Sequence, residues 1–199
     1  MKILHCSDIH YSKDAINWIE QNRASYDVVC LTGDFLDDRD CAITTPIEQI
    51  EFFTKWFDGF EQPLFVCSGN HDYFNGSLSW LSRRNGLKGD GTRCLLNGVK
   101  FGCISYEDDN FEYYADCDVV LYHVPPSGTS CAKENNQNFG CFSVKNALKH
   151  SLKNVKYLLC GHVHRPAKHA IRLGNVIVSN AGGIHKNNQA SHAIIEVKV

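Results

Sequence analysis

No stretch of this sequence approaches the apolar length needed to span a bilayer, and the N-terminus, MKILHCSDIH, lacks the basic segment, apolar core and small-residue cleavage site of a secretory leader. The expectation is a cytoplasmic protein with no membrane partner. Charge of one sign is also lacking: the formal net charge of -2 gives no overall basic field for gripping nucleic acid, which is not expected as a partner. There are ten cysteines but no Cys-x-x-Cys pair. Cys6, Cys30, Cys67 and Cys160 lie in apolar runs, so they read as reduced, buried small hydrophobes and not as a disulfide framework. Cys131 and Cys141, which flank a polar loop, are the one pair placed for redox chemistry. Repeats, low-complexity tracts and linkers are absent too. With 199 residues, 43% apolar and 21% charged, the chain suits one sizeable core, and the expectation is a single domain over residues 1–199 without a cap domain.

What the chain does have is a series of short apolar runs: KILHC, DVVCLT, PLFVCS, VVLYHV, VKYLLC, NVIVSN and AIIEVKV. Most are continuously apolar, as strands buried on both faces are. Between them, residues 12–24 and 46–60 carry apolar residues at helical spacing, with Ile47, Ile50, Phe53 and Phe57 forming a stripe in the second, and residues 143–152 form a third candidate helix. Residues 94–106 read as a hairpin around Asn97-Gly98 that carries the chain to a second sheet or to an edge. Buried parallel strands, flanking helices and a later hairpin predict an α/β sandwich with helices outside. The polar segment 127–140 is long enough to serve as a rim or lid, or simply as a solvated connection.

The chemistry sits where the apolar runs stop. They end in Asp8-Ile9-His10, Gly33-Asp34, Gly69-Asn70-His71-Asp72, His123 and Gly161-His162-Val163-His164. Alone, each block is a turn, a cap or a core histidine. Together they are different, because the carboxyl ends of neighbouring strands in an open α/β sheet line a shared crevice. Three carboxylates, a carboxamide and five imidazoles are too many polar groups to bury unpaired, and their nitrogen and oxygen donors suit two divalent transition ions. Manganese, iron, zinc, cobalt and nickel all fit such a donor set. His5, His150, His169, His185 and His192 have no such placement and are assigned to surface or ordinary packing. His185, after the Gly182-Gly183 turn, is the one candidate among them for lining the cleft.

The ordered set D-x-H, GD, GNHD, H and GHxH, spanning residues 8–164, resembles the signature of the calcineurin-like metallophosphoesterase superfamily. The resemblance implies a four-layer αββα double β-sandwich with a dinuclear metal site at the strand C-terminal ends. It implies that Asp8, His10, Asp34 and His164 hold one metal and that Asp34, Asn70, His123 and His162 hold the other, with Asp34 bridging. It also implies that His71 faces the substrate as general acid and that Asp72 orients it by hydrogen bonding. Arg39 and Arg165 are candidate phosphate clamps, since a guanidinium can grip two oxygens at once.

Two divalent cations about 3.5 to 4 Å apart activate a bridging hydroxide for in-line attack on phosphorus. The expected function is therefore metal-dependent hydrolysis of a small phosphodiester, a nucleotide among the possibilities. The segments HVPPSG at 123–128 and Gly140-Cys141 are similar to small phosphodiesterase branches, including class III cyclic nucleotide phosphodiesterases. GDFLDDR is one residue longer than the GDxxDR of protein Ser/Thr phosphatases, and GNHD stands where they have GNHE, which argues against that branch. A phosphomonoesterase on the same site, a nuclease and a non-catalytic metal-binding scaffold are the alternatives. Oligomeric state is not legible.

Overall fold

The computed structural model describes residues 1–39 and 43–198. One sheet has the order β12-β1-β2-β3, built from β1 (Lys2–Cys6), β2 (Val28–Thr32), β3 (Leu64–Cys67) and β12 (His192–Glu196). The other has the order β10-β11-β9-β6-β5-β4, built from β4 (Arg93–Leu96), β5 (Val99–Cys103), β6 (Val119–Leu121), β9 (Tyr157–Cys160), β10 (Ala170–Leu173) and β11 (Val176–Asn180). Inner strands run parallel in both sheets, whereas the edge strands β12, β10 and β4 are antiparallel to their neighbours. A small hairpin pairs β7 (Lys133–Glu134) with β8 (Gln137–Asn138).

Alternation along each strand explains the layering. On β1 to β3, Leu4, Cys6, Val29, Leu31, Leu64 and Val66 face the helices. Their neighbours Ile3, Val28, Cys30, Phe65 and Cys67 face the second sheet, where they meet Val99, Phe101, Val119, Leu121 and Leu159. Phe65 and Phe101 stack across that interface, with ring centroids 4.3 Å apart. Helices α1 (Lys13–Asn22) and α2 (Pro46–Asp58) contribute to the core on the outer face of the first sheet, and α3 (Phe142–His150) to that of the second. The architecture is the αββα sandwich.

Local signals set the helix boundaries. Ser12 caps α1, and Thr45 with Glu48 forms a capping box on α2, ahead of Pro46 in the first turn. One reading needs correction: α2 buries Gln49, Phe53, Trp56 and Phe57, while Ile47, in its first turn, stands half-exposed. The hairpin around Asn97 and Gly98 forms as read, with positive φ at both residues, and brings the chain into the second sheet. None of the nine described cysteines is bonded to another; Cys131 is buried and Cys141 half-buried. Among the described residues, no helix is long and apolar enough to cross a membrane.

Candidate metal centre

The parallel strands β1, β2, β3, β6 and β9 all point their carboxyl ends to one edge of the sandwich, and the motif residues leave the strands there. The exits are sharp. Asp8, His10, Asp34 and His162 all take positive φ, at 52°, 43°, 56° and 69°. Non-glycine residues held in this region cost on the order of 1 to 3 kcal/mol each, and such strain concentrates at functional sites. Gly69 and Gly161 are needed for close approach: a side-chain carbon on Gly69 would collide with the Asp34 carboxylate, and one on Gly161 with Ser7 and the Asp8 carboxylate.

Two clusters result. Asp8, His10 and His164 bring one donor atom each to within 4.8 Å of one another, and so do Asp34, His123 and His162. Asn70 joins the second cluster, its Oδ1 2.8 Å from His162 Nδ1. Asp34 stands between them, with Oδ2 3.2 Å from His123 Nε2 and 3.9 Å from His10 Nε2.

The imidazoles are held as ligands would be. His10 Nδ1–H donates to the Leu36 carbonyl (2.9 Å) and His123 Nδ1–H to the Thr32 carbonyl (2.7 Å), which leaves each Nε2, once unprotonated, as the ligand atom. Both of those Nε2 atoms are buried without a hydrogen-bond partner. Unpaired acceptors facing buried carboxylates fit a divalent cation well. The carboxylates are also fixed: the His162 amide donates to both Asp8 oxygens (3.0 Å each), and the His71 amide donates to Asp34 Oδ1 (2.9 Å).

The electrostatics point the same way. Burial opposes a charge on His123, but the adjacent Asp34 carboxylate outweighs it and pushes the imidazole up to about 10. Burial also acts against ionised Asp34 and Asp8, yet both are held below the usual carboxylate range, by His123 and by His164 respectively. Burial, then the neighbouring His123, push His162 down to about 4. A proton on His123, beside Asp34 Oδ2, thus stands where a cation would suit.

Two sequence-based assignments change. Asp72 does not bond to the His71 side chain. Its buried carboxylate accepts from the amides of Asp34 (2.8 Å), Phe35 (2.6 Å), Leu36 (3.3 Å) and Gly69 (2.7 Å), tying two strand ends together. The carboxylate at His71 is Asp38, whose Oδ2 accepts from Nδ1–H at 2.7 Å. Arg165 is exposed and is not among the residues lining the main cleft, whereas Arg39 lines it and is held by both oxygens of Asp37 at 2.6 Å. That cleft, of about 410 Å³, is walled by His10, Asp38, Arg39, His71, His164 and His185, among others.

Asp38 was missed as the partner of His71, while His185, named as the candidate for lining the cleft, lines it. Asp38 lay in plain view before Arg39, inside GDFLDDR. His185 had only the preceding glycine pair as a signal: its Nδ1 accepts from the Ser191 amide (3.0 Å), which leaves Nε2–H to donate to the Asp8 carbonyl (2.9 Å).

A sequence profile described as calcineurin-like phosphoesterase matches residues 1–166. The chain belongs to the calcineurin-like phosphoesterase family. Among solved structures, an archaeal phosphodiesterase is 17% identical with a TM-score of 0.53, over 98% of this chain and 93% of that one. The E. coli phosphoesterase YfcE is 18% identical with a TM-score of 0.52, over 98% and 88%. The protein TT1561 of Thermus thermophilus is 14% identical with a TM-score of 0.61, over 91% and 88%. At these identities the likeness is one of fold. A comparison with curated protein sequences finds no match. Membership in this calcineurin-like family, with its paired ligand clusters, supports metal-dependent phosphoester hydrolysis.

Proposed function

We propose that this family member is a phosphodiesterase that uses two divalent metals to hydrolyse a small phosphodiester. The observation that carries the proposal is the pair of buried Nε2 atoms, of His10 and His123, that face the one Asp34 carboxylate at 3.9 and 3.2 Å. Asp8, His10, Asp34 and His164 would hold one ion; Asp34, Asn70, His123 and His162 would hold the other. Bound there, the ions supply Lewis acidity toward phosphate oxygens and a nucleophilic water at neutral pH.

The chain's own residues supply the rest. His71, gripped at Nδ1 by Asp38, keeps Nε2 for the cleft it lines, where it donates a proton to the departing oxygen. Asp72 acts through the backbone, holding the Asp34 turn against Gly69. Arg39 touches the phosphate, its guanidinium oriented by Asp37. Charge favours a diester: Arg39 is the one Lys or Arg among the described residues lining the cleft, and Asp38 shares the wall, a poor setting for a dianionic monoester.

The test is hydrolysis of bis(p-nitrophenyl) phosphate beside p-nitrophenyl phosphate by metal-stripped protein resupplied with manganese. Metal-dependent turnover of the diester is the expected result. Turnover of the monoester alone would make the chain a phosphatase, and two bound metals with no turnover of either would favour a scaffold.

A further inference from the structure

Charge is unevenly distributed along the chain. Residues 119–199 carry ten of the 20 Lys and Arg but only two of the 22 Asp and Glu. The small net charge therefore averages an acidic first part with a basic second part.

The basic flank begins immediately after His164. Residues 165–168 are stitched to the segment leading into the β7–β8 hairpin: the Ala167 amide donates to the Lys133 carbonyl (2.8 Å), and the Lys168 amide to the Ser130 carbonyl (3.2 Å). The Arg165 amide donates to Glu134 Oε2 at 3.3 Å. The hairpin is itself braced, since Asn138 Oδ1 accepts from the Gly128 amide (2.7 Å) and its Nδ2 donates to Ser127 Oγ (2.9 Å). Lys133, Arg165 and Lys168 thus share one rim, and none has an ion-pair partner among the described residues. Glu134 is the single carboxylate there, and it already accepts from an amide. Carboxylates accompany other motif segments: Asp38 sits at His71, and Glu107 follows Tyr106, whose ring centroid is 6.3 Å from that of His123.

We propose that the Lys133–Arg165–Lys168 rim binds a second phosphate, carried by the arm of the substrate that stays on the reacting phosphorus. The inference rests on the phosphodiesterase reading and narrows it to diesters with one anionic arm. Ammonium and guanidinium groups suit a phosphate, and three of them on one rim draw it in over a distance that salt shortens. Asp38, bonded to His71, repels the same arm, so the diester is seated with that arm away from His71.

A series of esters sharing p-nitrophenolate as leaving group tests this. p-Nitrophenyl phosphocholine has a cationic arm, thymidine 5′-(p-nitrophenyl phosphate) a neutral one, and its 3′-phosphate an anionic one. kcat/KM rises in that order, with roughly a tenfold gain from the 3′-phosphate. Lys133→Glu with Lys168→Glu abolishes the gain, and so does high salt. Longer oligothymidylate arms separate the sources of such a phosphate: a gain growing with length marks a nucleic-acid strand, and a gain that stops at one phosphate marks a small nucleotide. No gain from the 3′-phosphate, or a gain that survives the double substitution, overturns the inference, while turnover of bis(p-nitrophenyl) phosphate still upholds the phosphodiesterase reading. No turnover of any diester overturns both.

Discussion

Asp38 Oδ2 accepts a hydrogen bond from His71 Nδ1 at 2.7 Å, although the two residues are 33 positions apart. The contact fixes the tautomer and the ring plane of His71. His71→Asn is predicted to lower kcat by about 10² to 10⁴, most for esters with poor leaving groups. Asp38→Asn follows the same trend with a smaller loss, and Asp72→Asn departs from it by affecting stability or metal content instead. Plotting log kcat against leaving-group pKa for each variant checks this.

Metal binding is predicted to release protons. In the metal-free chain burial disfavours charged His123, but Asp34 keeps the imidazole protonated up to about 10, so a cation must displace that proton. Affinity for manganese or zinc therefore rises with pH between 6 and 8, by up to about tenfold per unit for each proton displaced. Calorimetry in buffers of different ionisation enthalpy counts those protons, and a pH-independent affinity would sink the assignment.

Asp90 predicts a pH dependence of folding. Burial pushes its carboxyl up to about 6, one oxygen accepts from the Ser68 amide at 2.9 Å, and the other has no partner. The folded state holds the proton more tightly than the unfolded chain, whose carboxyl titrates near 4, so this group's contribution falls as pH rises from about 4 to about 6. The full swing is at most about 3 kcal/mol. Asp90→Asn should flatten it and raise the urea midpoint at pH 8 relative to wild type; a lower midpoint there would contradict the reading.

The interface between the sheets rests on the Phe65–Phe101 stack. Both rings are fully buried, and Phe101→Ala is predicted to cost about 3 to 5 kcal/mol in denaturant unfolding. A cost below about 1 kcal/mol would show that this layer is not the shared core.

Much of the fold and site was readable because each motif sits at a strand end, where sequence order and convergence in space coincide. Asp8, His10, Asp34, Asn70, His123, His162 and His164 were all named from that pattern. The partner of His71 was not readable: Asp37, Asp38 and Asp72 were all available, and which reaches the ring depends on the path of the turn after Asp34. Strand β10 was missed because Ala170–Leu173 is a short edge strand beside charged residues, although the Gly174-Asn175 turn marked its hairpin with β11. The rim at 133–138 was open to several readings because its place follows from hydrogen bonds to residues 165–168, which no local pattern encodes.

The most direct test of the account is to titrate metal-stripped protein with manganese while measuring bound metal per chain and turnover of bis(p-nitrophenyl) phosphate together, for wild type, His123→Ala and His164→Ala. The account predicts two metals in the wild type, loss of a different one in each variant, and little activity in either. Full activity with one metal or none, or unchanged occupancy in both variants, would contradict it.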